Sequence, residues 1–347
     1  MTIEDRLGAV ILSALVLYAL SGGADYGGGM WDLLASGPRA WRQRAAIEHA
    51  IGPIWEANHV WLILIVVVLF TAFPPAFATS MTALHIPMTA VLIGIVLRGS
   101  AFIFRRYDAR HDAVHRRWTT LFGATSFFTP FLLGLCLGAL ASGEIRVVDG
   151  RVASGFFAGW TTPFAVACGL FALGLFAFLA ATYLTVDTER EPDLQQDFRA
   201  RALIAGVLLA PVAALTFVLA RSGAPVIFAR LTSWWAPWLV AVTSVCAIGA
   251  LVSLWYRRFH WARVAAIGQV ASILVGWGVA QYPHLVVPDL TLTNAATASS
   301  TLQALQSTLM LGALVLFPAF GYLFYVFKRP GSFQAHPPSS ASSTTKS

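Results

Sequence analysis

Long uninterrupted apolar runs dominate the chain, and short polar segments separate them. Nine runs are candidates for membrane crossing: roughly residues 7–33, 50–72, 76–104, 118–141, 158–186, 202–221, 233–256, 262–281 and 302–327. A helix needs about 20 mostly apolar residues to cross a bilayer. The runs do not alternate with a period of two, which selects helices over strands. The predicted fold class is all-α, a polytopic membrane protein with nine transmembrane helices. The segment 187–201 (DTEREPDLQQDFRAR) reads as a solvated connection, and 282–299 as an outer loop whose one charge is Asp289. The prediction is a single transmembrane domain over 1–329 followed by a Ser/Pro-rich, disordered cytoplasmic tail over 330–347.

Composition supports this reading. Of the residues, 57% are hydrophobic and 11% charged, against roughly 25% charged in a soluble domain. The first apolar stretch lacks a basic leader and a small-residue cleavage site, so it is not expected to be a removable signal peptide. The net charge of +7 does not point to nucleic acid, because no basic face with interleaved aromatics is present. The cations sit instead in short loops. One set of loops, with the C-terminal segment, holds 17 Lys and Arg and the other holds 5. Basic loops stay in the cytoplasm, which places the N-terminus outside and the C-terminus inside. Cys136, Cys168 and Cys246 lie apart in apolar runs and read as small core residues.

Three charged side chains sit well inside a span: Asp25, Glu56 and Arg98. Such residues cost about 2.5–3.5 kcal/mol each on insertion scales, and they face a bundle interior or mark a pathway. At a rise of about 1.5 Å per residue, all three lie roughly 9–14 Å inside the cytoplasmic end. They come from three consecutive helices yet share one layer, so they are expected to meet. Two carboxylates against one guanidinium leave one able to hold a proton. The alternative is an ion-pair cluster that only fixes helix packing.

Glu56 and His59 are three residues apart and share a helix face. A carboxylate followed one turn deeper by a histidine makes a proton ladder; alternatively, His59 hydrogen-bonds a neighbouring helix. The expected proton path uses Asp25, Glu56, His59 and Arg98. Beside it, Trp55 and Trp61 are expected to pack, Asn58 to donate to a carboxylate or a partner helix, and Gly23, Gly27 and Gly99 to permit close approach. The glycine-rich 22–31 stretch fails as a phosphate loop, since no Lys-Ser/Thr follows it. The deep histidines, His59 and His85, lie roughly 14 Å and 28 Å from the cytoplasmic end and cannot share one iron. No C-x-x-C-H motif is present. No metal site is predicted.

The segments GADYGGGM (23–30), IGPIWEANHVWLI (51–63), FPPAFATS (73–80) and LRGSAFIFRR (97–106) together resemble subunit II of the cytochrome bd-type quinol oxidases, including the cyanide-insensitive type. The likeness in motifs lies within the first ~105 residues; beyond residue 110 it is one of length and hydropathy. The chain departs from the family pattern at His59 and Ile103, where acids are common. The resemblance implies two four-helix bundles plus one peripheral helix, in the bacterial cytoplasmic membrane. It implies a haem-free subunit of a complex that oxidises a quinol and reduces dioxygen to water. This subunit would scaffold a haem-bearing subunit I, which holds haems b and d, and would supply protons from the cytoplasm. A small single-helix subunit and a bound quinone or lipid are compatible with it. The competing readings are a proton-coupled secondary transporter and a purely structural membrane subunit. A transporter should show paired interrupted helices in two halves, whereas here the charged layer is confined to the first three spans.

Overall fold

The computed structural model of the chain describes residues 1–52, 55–107 and 113–327, except for the side chains of 55–57, 106, 107, 113, 115, 323, 324 and 327. The tail expected over 330–347 lies outside the described residues. In chain order the elements are α1 (Ile3–Leu33), α2 (Ala40–Ile51), α3 (Trp55–Ala72), α4 (Pro74–Ala83), α5 (His85–Tyr107), α6 (Ala113–Ser142), β1 (Val147–Val148), β2 (Arg151–Val152), α7 (Pro163–Asp187), α8 (Pro192–Gly223), α9 (Pro225–Leu231), α10 (Ala236–Trp255), α11 (Phe259–Gln281), β3 (His284–Val286), β4 (Leu290–Thr291) and α12 (Ser299–Phe327). Among the described residues, eight helices are long and apolar enough to cross a membrane, and α3 with α4 supplies a ninth when the two are counted together.

Helix ends follow local chemistry. Thr2 and Asp5 cap α1 reciprocally, each side chain accepting from the other's backbone N–H. Prolines open α4, α7, α8 and α9, because the first turn has no use for the N–H that proline lacks. The same rule corrects the expected span 76–104. Pro74 and Pro75 start a separate helix bent 118° from α3, and a second break at Leu84 precedes α5. The Ala72 carbonyl, left unpaired where α3 ends, accepts from Thr297 N at 2.9 Å. The expected span 50–72 is also divided: Ala50 and Ile51 end α2, and α3 begins at Trp55. Nor is 187–201 a mere connection, since α8 starts at Pro192, with Asp193 in its first turn favouring the helix dipole.

Met1–Leu302 forms one compact unit, and the chain from Gln303 a second. In the first, α1, α3, α5 and α6 make one four-helix set, with α4 beside it. Helices α7, α8, α10 and α11 make the other, and α1, α6 and α7 join the two. The second unit carries most of α12, with Met310, Leu311, Leu314, Val315 and Phe317 along it, the composition of a membrane span.

Amphipathic α2 turns Gln43, Ile47 and Ile51 inward. Ile47 and Ile51 join Phe102, Phe122, Leu184 and Phe198 in a core at that end of the bundle. Arg39 pairs with Asp197 of α8, which also accepts from Gln43 at 2.8 Å. At the opposite end two small hairpins cover the bundle, pairing Val147 with Val152 and His284 with Thr291. Asp149 and Gly150 both have positive φ, as a two-residue Asp-Gly turn requires.

The glycines of α1 are contact points. A Cβ on Gly27 would overlap the Phe176 carbonyl oxygen of α7, and one on Gly29 would overlap the Ser126 hydroxyl of α6. Small residues of this kind let helix backbones approach closely where lipid offers no hydrophobic drive. Gly27→Ala should therefore destabilise the protein by about 1–3 kcal/mol, the usual cost of overpacking. The thermal midpoint of the purified protein should fall, whereas Gly312→Ala, whose Cβ meets nothing within 4 Å, should leave it unchanged.

Between the hairpins, Asp289 accepts from Arg146 Nε at 2.9 Å and from Val147 N at 2.8 Å. The hydrogen bond from Arg146, chiefly, holds the Asp289 carboxyl below its ordinary value. A depressed carboxylate stabilises the fold above its unfolded pKa of about 3.9 and loses that contribution as pH falls through its folded value. Amide exchange in 146–152 should accordingly accelerate as pH falls below about 4, after correction for the intrinsic rate. Asp289→Asn should exchange fast at neutral pH and show no such step.

Candidate functional site

Helices α1 and α5 each carry two charges seven residues apart: Asp25 and Asp32 on the first, Arg98 and Arg105 on the second. Seven residues make nearly two turns, so each pair lies on one helix face. The two faces meet. Arg98 Nη2 donates to Asp25 Oδ1 at 2.8 Å and Nη1 to Oδ2 at 3.0 Å. Nη2 also donates to the Asp25 carbonyl at 3.0 Å, and Nε to Ser126 Oγ at 3.0 Å. One pair closer to α2, Arg105 Nη1 donates to Asp32 Oδ2 at 2.8 Å.

Burial makes these pairs consequential. Both Asp25 and Arg98 side chains are 2% exposed, and those of Asp32 and Arg105 are 0% and 3% exposed. Phe122 of α6 lies between the two guanidiniums, its ring centroid 4.8 Å from Arg98 Cζ and 5.1 Å from Arg105 Cζ. Tyr26 covers Arg98 from another side at 4.7 Å. An aromatic face attracts a desolvated cation by up to about 2 kcal/mol.

The lower pair opens toward α2. Glu48 Oε2 lies 3.5 Å from Arg105 Nη2, and the Glu48 side chain is 34% exposed. Arg44 Nε donates to the Asp32 carbonyl at 3.2 Å and its Nη2 to the Ala35 carbonyl at 3.0 Å, which ties α2 to the end of α1.

Of the layer expected from the sequence, the structure brings Asp25 and Arg98 together. Glu56 and Trp55 begin α3, and their side chains lie outside the described residues. His59 packs edge-on to Tyr18, with ring centroids 6.2 Å apart, and 6.4 Å from Tyr26. The Tyr18 hydroxyl donates to that of Tyr26 at 3.4 Å. Asn58 Nδ2 donates to the Ser21 carbonyl of α1 at 3.4 Å, a helix contact and not a carboxylate contact. Trp61 is buried. Gly23 and Gly27 face Phe176 of α7, and Gly99 follows Arg98 on α5. His85 opens α5, its Nδ1 2.9 Å from the Thr82 carbonyl.

Sequence reasoning missed Asp32, Arg105, Glu48 and Arg44, which it placed at span ends or in loops. A signal was available. Asp25 and Arg98 are 73 positions apart, and so are Asp32 and Arg105. An equal offset between two helices running the same way is the pattern of two ion pairs in register.

The fold and these pairs define a class: a polytopic α-helical membrane protein whose first bundle is pinned by buried ion pairs. The family model described as cytochrome bd terminal oxidase subunit II matches residues 5–327, and the chain belongs to that family. The putative cytochrome bd menaquinol oxidase subunit II of Bacillus subtilis is 23% identical over 332 residues, covering 92% of this chain and 94% of that protein. The cytochrome bd-I ubiquinol oxidase subunit 2 of Escherichia coli is 26% identical over 316 residues, covering 81% of each chain. The fold is that of a chain of the bd oxidase from Geobacillus thermodenitrificans, with a TM-score of 0.73, 22% identity, and coverage of 94% of this chain and 99% of that one.

Replacing one partner of a buried pair leaves the other charge uncompensated, at a cost of about 3–5 kcal/mol, whereas replacing both with apolar residues is often nearly neutral. R98L should therefore sharply lower the yield and thermal midpoint of the purified protein. The double variant D25L/R98L should recover most of the loss. Equal loss in the double variant would mean that the charges do more than balance each other.

Proposed function

We propose that this chain is the haem-free subunit of a quinol-oxidising, dioxygen-reducing complex in the bacterial cytoplasmic membrane. It scaffolds a haem-bearing subunit I and delivers protons from the cytoplasm. Its relatives' names include menaquinol and ubiquinol oxidases, so the substrate class is a quinol. The N-terminus lies outside and the C-terminus in the cytoplasm, which puts α2 and the Asp32 pair on the cytoplasmic side. A small single-helix subunit and a bound lipid or quinone fit the same assembly.

The placement of the two deep histidines, His59 and His85, supports the haem-free reading. His59 stands one turn into α3, packed against two tyrosine rings, while His85 is the first residue of α5 after the α4 bend. On the orientation proposed above they stand near opposite ends of their spans, which does not suit flanking one iron. Haems b and d belong, on this reading, to the partner subunit, where they supply the electron transfer and oxygen chemistry.

The observation that carries the proton role is a layer of buried charge in the cytoplasmic half of one bundle. Reducing dioxygen to water consumes protons as well as electrons, and a proton needs ionisable groups to enter an apolar slab. Asp25 is held on both oxygens by Arg98 and serves as a fixed counter-charge to it. Glu56 and, one turn deeper, His59 are the groups that load and pass the proton. Tyr18 and Tyr26 of α1 pack beside His59, and their hydroxyls are hydrogen-bonded to each other.

Glu56→Gln tests this. The purified complex should keep its haem d and b absorbance while quinol-driven oxygen consumption falls by about tenfold or more, the scale of losing a proton-transfer group. Wild-type turnover would sink the proton role. A colourless, stable single-chain preparation of the wild-type protein would sink the oxidase assembly.

A further inference from the structure

The two ion pairs share a frame but not a state. Asp25 and Arg98 form a closed pair, with both carboxylate oxygens accepting and the guanidinium turned outward onto Ser126. Asp32 and Arg105 share one hydrogen bond. Among the described residues, neither Asp32 Oδ1 nor Arg105 Nη2 has a hydrogen-bond partner, although both atoms are buried. Buried polar atoms of native proteins are almost always paired, with protein or with an internal water, and an exception calls for a functional or solvent account. Here an acceptor and a donor are left over in the same ion pair, which is the complement that one water molecule satisfies.

This pair also has an outlet. The Nη2 that lacks a hydrogen bond is the atom 3.5 Å from Glu48 Oε2, a separation too long for a good hydrogen bond but within ion-pair reach. Glu48 is one-third exposed, so a single side chain touches both solvent and the buried guanidinium. Upward, Phe122 separates this pair from Asp25–Arg98. Sideways, Ile51 at the end of α2 packs on Gly28, at a level between Asp25 and Asp32, and α3 with Glu56 follows directly in the chain.

We propose that Asp32 is the buried carboxylate through which protons enter this chain, loaded from Glu48 through a water held by Asp32 Oδ1 and Arg105 Nη2. The inference rests on the proton-delivery reading above and names its entrance. A proton taken by Glu48 from the cytoplasm passes through the water to Oδ1, and Asp32 becomes a neutral acid whose Oδ2 still accepts from Arg105. Release of that proton toward Glu56 restores the carboxylate. No electron moves in these steps. Arg105 keeps its charge throughout, and Arg44, bonded to the Asp32 and Ala35 carbonyls, holds the entrance in shape.

The test uses the whole oxidase complex in liposomes containing a quinol and a trapped pH-sensitive dye, comparing E48Q, D32N, D32E and E56Q. Proton uptake and oxygen consumption should fall by about tenfold or more in both E48Q and D32N. Haem absorbance should be retained, the solvent deuterium isotope effect should rise, and D32E should restore the rate. A merely structural Asp32 would lower yield without changing the isotope effect, and that result overturns the proposal. If D32N does not assemble, E48Q decides alone, and a wild-type rate in it overturns the entrance. Slow E56Q with wild-type E48Q refutes Asp32 and Glu48 while leaving the proposed path intact. Wild-type E56Q refutes the path itself.

Discussion

A full charge inside an apolar slab must find its opposite, and this constraint organises the first bundle. Arg98 is buried, and four of its five N–H groups are taken by the Asp25 carboxylate, the Asp25 carbonyl and Ser126. That arrangement fixes α1 against α5 and α6 at a single height and rotation. The glycines flanking Asp25 follow from the same demand. If α1 is to bring its carboxylate to Arg98 while also packing on α7, its backbone must come within contact of the Phe176 carbonyl, and only glycine permits that at position 27. Sequence features that look separate, a glycine-rich stretch and a lone aspartate, are two parts of one packing solution.

Much of this was legible beforehand because lipid imposes simple rules. Long apolar runs gave the spans, and scarcity of charge made Asp25 and Arg98 conspicuous. Of the three charges expected to meet at one depth, Asp25 and Arg98 are in contact, and the Glu56 side chain lies outside the described residues. The rules failed where structure is not a straight apolar rod. The Pro74-Pro75 pair sits within apolar sequence, so hydropathy ran through a 118° bend. Helix α2 and the first turns of α8 are too polar to register as membrane segments, yet Ile47, Leu194 and Phe198 are fully buried and Ile51 is nearly so.

Asp32 and Arg105 escaped notice for a related reason. Depth along a single helix does not reveal them, because both residues stand near helix ends, where charge normally meets water. What buries them is α2, folded back across the end of α1 and held by Arg44 and by Asp197 with its partners Arg39 and Gln43. Tertiary cover of this kind leaves no trace in hydropathy. It does leave one in spacing, since the seven-residue repeat occurs on both helices.

That repeat has a consequence for how the chain is made. Two pins at equal separation form a key that fits one lock position. Sliding α5 by a single turn breaks both pairs, and sliding it by two turns re-forms one and strands the other two charges in apolar surroundings. Only the native height satisfies all four. Helix α1 enters the membrane with two acids whose counter-ions are still on the ribosome, two spans away in sequence. It is therefore an unfinished span until α5 arrives, and the arrival of α5 measures, by charge alone, whether the bundle has been threaded to the right depth.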